Sequence, residues 1–391
     1  MRGTIPVTKA LFWSFVASML GLLYISKGYN YCETYIGASR SISDDGVITS
    51  YRRSQQVPTR LNRLHYVCQT EWIKDDTLRY NQTTTRFDYS KKANISVCSV
   101  PKAGSTLFAL VLLALEVPAG TDIESIFQTK RSHVHAQAGS KLQQSSKEML
   151  PTRKVIVARD PFRRLFSAYV DKELTRLPVY RANTSKVVCS NRLAFDQFLH
   201  NTVSDGFKGK FIDRHVAPAS LLCEPCETNY EFVAKQETLT EDLSFLLENM
   251  TTAHKHTRDS ILRVLHGDVN KKTLIGVIET VVSRASNICK NLVDYLSTLW
   301  TAFKMQGVLH KDAVFPREEF EQRDAIDVSY VTSVVLETML DFPLSSEDRR
   351  RQRQEALVQA YAGVSSDTVR GIQNMYFKDF LLFDYNILPP S

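Results

Sequence analysis

The sequence predicts an α/β fold in which a parallel central sheet is flanked by helices and is preceded by a transmembrane helix and a stem. Short β-branched segments that end in loops, each followed by an apolar or amphipathic helical pattern, predict the parallel sheet. One uncharged segment near the amino terminus predicts the membrane helix. The 391 residues, 43% of them hydrophobic and 23% charged, can bury a large core, which excludes a mostly disordered or fibrous chain.

The membrane helix is predicted at residues 10–26, which carry no charge between Lys9 and Lys27. Their number lies at the short end of the roughly 17–25 residues that cross a bilayer. A cleaved signal peptide is the alternative, but its apolar region is typically about 7–15 residues long, so an uncleaved signal anchor is favoured. Because more positive charge precedes this segment than follows it, we expect residues 1–9 in the cytosol and the remainder of the chain in the lumen.

Two further features agree with a lumenal chain. Four Asn-X-Ser/Thr sequons are candidate glycosylation sites, at Asn81, Asn94, Asn183 and Asn249. The seven cysteines are compatible with disulfides formed in an oxidising compartment. Their odd number leaves one over, and Cys32, just past the predicted membrane helix, is the candidate for an intermolecular bridge in a homodimer or for an unpaired thiol.

The Cys223-x-x-Cys226 pair admits three interpretations: disulfide formation, a zinc half-site or a redox pair. Zinc would need two more ligands, and His215, Cys189 and Cys289 are candidates whose spacing is not diagnostic. A redox role lacks the thioredoxin-like unit that normally surrounds such a pair. For a lumenal chain we therefore predict disulfides and no metal site.

Residues 27–90 are polar and show no sustained helical or strand period. This pattern predicts a stem that separates the membrane from a globular domain over residues 91–391. The arginines scattered through the stem, Arg60 and Arg63 among them, are interpreted as solvated.

The elements of the predicted domain follow in order. Residues 95–100 alternate in polarity and predict a strand. The apolar run at residues 107–115 is too short to cross a membrane and is apolar on all sides, which predicts a buried helix. Residues 155–158 predict a second buried strand, and residues 274–278 are the candidate for a third.

The loop between the first strand and its helix has the composition of an anion-binding loop. Gly104 lets the backbone approach an oxyanion, and Lys102 adds a mobile cation. Hydroxyls and backbone amides at the helix start add hydrogen-bond donors. The order of residues differs from that of the nucleoside-triphosphatase loop, in which a lysine follows the second glycine. A plain strand-to-helix turn is the alternative. The candidate ligand-binding residues are Pro101, Lys102, Ala103, Gly104, Ser105 and Thr106.

A second candidate anion site follows the second strand. Arg159 ends that strand, and Asp160 as N-cap with Pro161 at the first helical position predicts the start of an amphipathic helix. Ser167 lies in this helix, and it could hold a phosphate together with Arg159. The alternatives are that Arg159 pairs with a carboxylate and that Ser167 is a small packing residue. Ligands of open α/β sheets bind beyond the carboxyl ends of the strands, so we expect both loops to converge on one nucleotide.

Four separated blocks of sequence resemble a known family. Pro-Lys-x-Gly-Ser-Thr at residues 101–106 and Arg-Asp-Pro-Phe-x-Arg-Leu-x-Ser-Ala-Tyr-x-Asp-Lys at residues 159–172 resemble the two cofactor motifs of sulfotransferases that use 3′-phosphoadenylyl sulfate. The blocks at residues 213–242 and 376–385 are similar to those of Golgi carbohydrate sulfotransferases of the chondroitin 4-O-sulfotransferase type. Two departures stand out: Gly104-Ser105 is closer to other branches, including heparan-type enzymes, and Val216 stands where this family usually has Trp.

The resemblance implies a P-loop-like sulfotransferase fold for residues 91–391. It implies transfer of sulfate from 3′-phosphoadenylyl sulfate to a glycan hydroxyl, most simply of a chondroitin- or dermatan-type glycosaminoglycan, by a single-pass type II protein of the Golgi membrane. A heparan-type or other glycan acceptor, and a catalytically inactive glycan- or nucleotide-binding module, are the alternatives. A sulfuryl group carries less negative charge than a phosphoryl group, so no metal is required.

The resemblance also assigns roles to residues. The first loop binds the 5′-phosphosulfate, and Arg159 and Ser167 bind the 3′-phosphate. Lys102 neutralises charge on the bridging oxygen as the phosphate leaves. For the general base that accepts the proton of the acceptor hydroxyl, His135 is favoured, His133 follows closely, and His215 is a third candidate.

The net charge of +7 is modest, and no dense basic patch indicates a nucleic-acid partner. A polyanionic glycan acceptor would need a basic groove. We interpret the basic residues near the cofactor loops as candidates for this groove. We interpret the arginines at residues 349–353 as a solvated helix face. The candidates near the loops are Arg163, Arg164, Lys172, Lys208 and Lys210.

Overall fold

The computed structural model shows a central sheet with helices packed around it. The residues that the structure describes are 50–70, 73, 85–118, 120–129, 133–134, 137, 143–145, 153–176, 187–208, 212–249, 255–266 and 270–391. The segments predicted as cytosolic tail and membrane helix lie outside them, as does Cys32. Among the described residues no helix combines the length and the hydrophobicity that a membrane span requires. Residues 56–391 form one compact unit, and residues 1–55 belong to another.

The sheet has five strands in the order β3-β1-β2-β4-β5. Strand β2 pairs in parallel with β4, and β4 pairs in parallel with β5. Strand β1 is antiparallel to both β2 and β3. The strands are β1 Arg86–Ser90, β2 Ile95–Cys98, β3 Gln143–Ser145, β4 Arg153–Ala158 and β5 Phe232–Lys235.

The prediction of a parallel sheet is therefore correct for its three adjacent strands β2, β4 and β5, and wrong for the β1–β3 edge. A parallel connection needs a crossover of a dozen or more residues, but only the turn at residues 91–94 separates β1 from β2, which forces an antiparallel hairpin. Strand β1 comes from the segment that was predicted to be stem.

The third parallel strand is β5, and the prediction of a strand at residues 274–278 is wrong. That segment belongs to the helix Asn270–Ile288. Its buried residues Leu274, Ile278, Val282 and Ala285 recur every three or four positions, which is the helical period. The five-residue apolar run is thus one face of a longer helix, and its neighbours along the chain carry the signal that a short window misses.

Along the chain, helices come before, between and after the strands, and a long set of helices follows the last strand. They are α1 Ser50–Cys68, α2 Ser105–Glu116, α3 Ile123–Phe127, α4 Pro161–Tyr169, α5 Phe195–Phe207, α6 Ala219–Cys223, α7 Leu239–Glu248, α8 Lys255–His266, α9 Asn270–Ile288, α10 Leu292–Met305, α11 Arg317–Glu321, α12 Val328–Asp341, α13 Ser346–Ala362, α14 Ser366–Met375 and α15 Phe377–Phe383. A π-helical turn, Val170–Thr175, continues α4, and a 3₁₀ turn, Gln236–Thr238, follows β5.

The two helices that follow β2 and β4 agree with the sequence. Helix α2 is buried without interruption from Phe108 to Leu115, as an all-apolar pattern predicts. Helix α4 begins at Pro161, where the side chain of Asp160 accepts a hydrogen bond from the backbone amide of Arg163 at 2.8 Å. The predicted N-cap and first helical residue are thus confirmed.

Helix α1 shows that polar residues of the predicted stem are paired with charges of the domain. Arg60 forms an ion pair with Asp242 at 2.7 Å, and Arg63 forms one with Asp384 at 2.9 Å. The side chain of Arg60 is only 14% exposed, so the interpretation of this arginine as solvated is wrong. Composition alone did not reveal these partners, because they lie far away in the sequence.

Three disulfides connect the described cysteines: Cys68–Cys226, Cys98–Cys223 and Cys189–Cys289. The two cysteines of the Cys-x-x-Cys pair bond to different partners, one in helix α1 and one at the end of β2. This confirms the prediction of disulfides and makes the zinc and redox interpretations wrong, since Cys189 and Cys289 are also paired. No group of side chains suited to a metal ion occurs in the described part of the chain.

We expect that replacing Cys68 and Cys226 together with Ala lowers the free energy of unfolding by about 2–4 kcal/mol, because the bridge closes a long loop of the unfolded chain. Denaturant unfolding of the full-length protein measures this change, and Cys32→Ala, outside the three bridges, is the control. Peptide mapping without reduction that linked Cys223 directly to Cys226 would contradict the pairing.

Candidate active site

Three loops meet at the edge of the sheet where the parallel strands end. They follow β2, β4 and β5, whose carboxyl ends point in the same direction. Arg159 Nη1 donates a hydrogen bond to the backbone oxygen of Lys102 at 2.7 Å. The backbone amide of Asp160 donates one to Glu237 Oε1 at 3.0 Å. The structure thus brings together the two loops that the sequence predicts to lie side by side, and it adds a third.

The backbone of the first loop is shaped for close approach. Gly104 has φ 93° at the start of α2, and a Cβ atom at this position would lie 2.5 Å from Cδ2 of Leu239. Lys102 also adopts the left-handed region, with φ 69°, which costs a non-glycine residue on the order of 1–3 kcal/mol. No side chain caps the start of α2, so its amino-terminal amides are oriented toward this loop. Ala103 is fully buried beneath it.

The second loop contributes a partly buried cation, Arg159. Among the described residues, nothing accepts a hydrogen bond from Nε of Arg159, although this atom is buried. Burial lowers the pKa of Arg159 to about 10; the carboxylate of Glu237 opposes this shift, and the positive charge of Arg163 adds to it. A buried donor without an acceptor costs free energy, and an anion bound beside this loop would supply the acceptor. Ser167 lies partly exposed in α4, four residues after Arg163.

Arg164 was predicted to contribute to a basic groove, and the structure contradicts this. Its side chain is 1% exposed. Its Nε donates to the backbone oxygen of Pro101 at 3.0 Å, and its Nη2 donates to the backbone oxygens of Arg214 and Ala217 at 3.1 and 2.6 Å. Because α4 buries this face, Arg164 supports the first loop from below and is not available to a ligand.

The ammonium group of Lys102 is held by Asp171. The two side chains form an ion pair in which they are only 8% and 9% exposed. Arg176 lies 3.5 Å from the same carboxylate. The π-helical turn places Asp171 here: it adds one residue to the turn, and the backbone amide of Arg176 bonds five residues back, to the oxygen of Asp171, at 2.9 Å. Asp171 was not among the predicted site residues, although it stands in the Asp-Lys pair that ends the second motif.

Lys172, the next residue of the π-helical turn, contacts Asp213, which in turn contacts His215. Lys172 Nζ lies 3.4 Å from Asp213 Oδ2, and Asp213 Oδ1 lies 2.5 Å from His215 Nδ1. The hydrogen bonds with His215 and the charge of Lys172 hold the pKa of Asp213 below its usual range. Burial and the positive charges of Lys172 and Lys102 lower the pKa of His215, and Asp213 opposes this. His215 is thus neutral at neutral pH, with Nδ1 oriented by Asp213, which suits a general base.

Of the other two candidate histidines, the structure describes only His133. His133 is exposed, within the short described stretch 133–134, and no hydrogen bond in the described part of the chain joins it to Lys102 or Arg159. His135 lies outside the described residues. Both stay predictions.

Of the candidate glycosylation sites, Asn94 and Asn249 are exposed, the former in the turn between β1 and β2 and the latter at the end of α7. Asn81 and Asn183 lie outside the described residues, so modification of all four stays a prediction. Of the predicted groove residues, Lys208 is exposed just after α5, whereas Lys210 lies outside the described residues.

Two residues near the carboxyl terminus, Asp379 and Tyr385, form hydrogen bonds with segments next to the site. Asp379 accepts hydrogen bonds from the backbone amides of Ala219 and Ser220 at 2.7 and 2.8 Å. The hydroxyl of Tyr385 donates to Glu237 Oε2 at 2.9 Å, on the loop after β5. The segment that resembled a family's closing block therefore supports both α6 and the third loop.

Comparison with known proteins agrees with this geometry. Residues 85–302, more than half of the chain, match the model of the Sulfotransferase family, and the chain therefore belongs to that family. Carbohydrate sulfotransferase 9 of Homo sapiens is 30% identical over 186 residues, which are 42% of this chain and 41% of that protein. Carbohydrate sulfotransferase 10 of Mus musculus is 28% identical over 239 residues, 54% of this chain and 66% of that protein.

Carbohydrate sulfotransferase 8 of Mus musculus is 28% identical over 182 residues, 42% of this chain and 43% of that protein. The chain thus spans less than two thirds of the length of each of these relatives. Their names support the broad resemblance to carbohydrate sulfotransferases, and none of them specifies a chondroitin acceptor. No solved structure gives a significant match.

We expect Asp171→Asn to lower the free energy of unfolding by about 3–5 kcal/mol, because it leaves the buried charge of Lys102 without its partner. Denaturant unfolding measures this loss. The double variant with Lys102→Met should recover most of it, since both charges are then absent. Asp213→Asn, at a carboxylate that is 56% exposed, is the matched control, and an equal loss there would contradict the assigned pairing.

Proposed function

We propose that this protein is a carbohydrate sulfotransferase, an enzyme that transfers a sulfuryl group from 3′-phosphoadenylyl sulfate to a hydroxyl of a glycan. The observation that carries the proposal is the junction of the Lys102 and Arg159 loops at the carboxyl edge of the sheet, in a chain of the sulfotransferase family. The acceptor that we propose is a glycosaminoglycan of the chondroitin or dermatan type. A heparan-type chain and other glycans are the alternatives that an acceptor panel distinguishes.

The loops fit the two anionic ends of this donor. Gly104 has no Cβ atom to collide with Leu239, which lets the loop adopt its left-handed turn, and the amides at the start of α2 favour negative charge. Arg159 has a buried donor without an acceptor in the described residues, and we assign it to the 3′-phosphate together with Ser167. When bound, the donor supplies an activated sulfuryl group.

Lys102 is the residue that we assign to the leaving group. Transfer forms a bond between the acceptor oxygen and sulfur and breaks the bond between sulfur and the bridging phosphate oxygen, on which negative charge develops. Stabilising that charge and positioning the reactants are the main contributions a protein makes to such loose in-line transfers. Asp171 holds the ammonium of Lys102 beside the loop until the donor accepts its hydrogen bonds.

His215 is the general base that the contacts support best. His135 and then His133 were the favoured candidates in the sequence, but only His215 among the described histidines is linked to the same π-helical turn that holds Lys102. Its Nδ1 faces Asp213, which leaves Nε2 to accept the proton of the acceptor hydroxyl. The proton thus moves to His215 as the new oxygen–sulfur bond forms.

We further propose that the protein resides in the Golgi membrane as a single-pass type II protein whose catalytic domain is lumenal. The three disulfides support an oxidising compartment. The uncharged segment at residues 10–26 supplies the proposed signal anchor. A homodimer linked through Cys32 remains part of this proposal.

The first test is transfer of labelled sulfate by the full-length protein to chondroitin, dermatan and heparan precursors. We expect transfer to at least the chondroitin or dermatan chain. Lys102→Ala should lower kcat at least about 100-fold, because a charge-stabilising donor is lost, while calorimetry should still detect binding of adenosine 3′,5′-diphosphate. Undiminished transfer by Lys102→Ala would contradict the role of this lysine, and no transfer to any glycan would contradict the proposed function.

The second test concerns the base. A base must be neutral to act, and the lowered pKa of His215 predicts that kcat/KM rises with pH with a midpoint below the ordinary histidine value of about 6.5. Asp213→Asn should move this rise to still lower pH, because it removes the negative charge that raises the pKa of His215. His215→Ala should remove the rise and most of the rate, whereas His133→Ala serves as the control. If His133→Ala lost more activity than His215→Ala, His133 would be the general base instead.

A further inference from the structure

Helix α13 brings a second group of arginines close to the donor loops. This helix, Ser346–Ala362, lies beyond residue 302, where the match to the family model ends. It packs on α4, since Arg163 Nη2 donates to Gln354 Oε1 at 2.6 Å and the hydroxyl of Tyr361 donates to the backbone oxygen of Phe162 at 2.9 Å. Helix α4 is the helix that begins directly after Arg159.

The arginines of α13 differ in their partners. Arg351 is bound by acidic residues of its own helix, at 2.5 Å from Asp348 and 3.9 Å from Glu355. Arg350 lies one turn before Gln354, on the helix face that meets Arg163, and Arg353 lies three residues after Arg350, within reach of it on the helix surface. Arg350 and Arg353 are exposed.

Positive charge accumulates on this part of α13, where Arg349 and Arg350 both act on Arg353. Although Arg353 is exposed at the surface, partial burial lowers its pKa, and the positive charges of Arg349 and Arg350 lower it further; within the described part of the chain no carboxylate opposes this shift. Arg163 acts on Arg159 in the same way. Like charges repel one another, so an anionic ligand beside these arginines would be stabilised.

We propose that Arg163, Arg350 and Arg353 form a surface that binds an anionic polysaccharide, the acceptor chain, beside the donor loops. This surface, the arginine surface, rests on the proposed function and adds to it the part of the molecule that holds the acceptor. It implies an acceptor with negative groups on several sugar residues, because the three guanidinium groups span two helices. Contacts of this kind act through charge, so they weaken as salt rises.

The test compares two variants of the full-length protein that lose the same charge. The first is Arg350→Gln with Arg353→Gln, on the arginine surface. The second is Arg351→Gln with Arg370→Gln, at exposed arginines that pair with Asp348 and Asp367. The probes are chondroitin, chondroitin whose carboxylates have been reduced to alcohols, and the donor. Rates and, independently of turnover, binding of fluorescent chondroitin are measured for each.

We expect the first variant to raise the KM and Kd for chondroitin about tenfold, which corresponds to about 1.4 kcal/mol shared by two partly exposed contacts. The KM for the reduced chain and for the donor should stay within about twofold of the original values, as should all values of the second variant. Arg350→Lys with Arg353→Lys should restore most of the binding, because it returns the charge without the guanidinium fork.

Three results would overturn the proposal: no change in the first variant, an equal change in the second, or a rise in the KM for the donor alone, which would assign these arginines to the nucleotide. Failure of the proposed function looks different, since no glycan would then be sulfated by the unaltered protein. In that case selective loss of chondroitin binding by the first variant would still support the arginine surface. Thermal unfolding of both variants confirms that each is folded.

Discussion

The parallel pairing of β2, β4 and β5 is the constraint on which the candidate active site depends. Because these strands end at one edge, Arg159 meets a loop that lies 57 residues earlier in the chain, and Glu237 meets Asp160 from 77 residues away. The loops are then fixed to one another by backbone and side-chain hydrogen bonds. A slip of one residue in β4 would turn its side chains to the opposite face and remove these contacts together.

Two unusual backbone conformations meet within this frame. Lys102 lies in the left-handed region, and Asp171 lies in a π-helical turn. Each conformation is unfavourable by itself, and their side chains form one nearly buried ion pair. The same turn presents Lys172 to Asp213 and hence to His215. One short irregular segment therefore orients both residues that we assign to the chemistry, which is the kind of preorganisation that charge stabilisation requires.

The sequence predicted the parts of this site that depend on local patterns. Strands β2 and β4, the buried helix α2, and the start of α4 at Asp160 and Pro161 all followed from periodicity and capping. Strand β5 was missed because Phe232–Lys235 has only three consecutive apolar residues and no alternation of polarity. Residues 274–278 were misassigned because a short apolar run does not distinguish a strand from a buried helix. The direction of the Asp171 side chain could not be foreseen, since a π-helical turn breaks the period from which it would be read. The partners of Arg60 depend on contacts across most of the chain.

The contacts of Asp379 and Tyr385 have a consequence for biosynthesis. The strands that carry the catalytic loops are translated in the first two thirds of the sequence, yet α6 and the loop after β5 acquire these hydrogen-bond partners only from residues near its end. A nascent chain can therefore pair its strands before residues 379 and 385 are translated, but these supporting contacts form only afterwards. Folding of the core and maturation of the site are thereby separated in time.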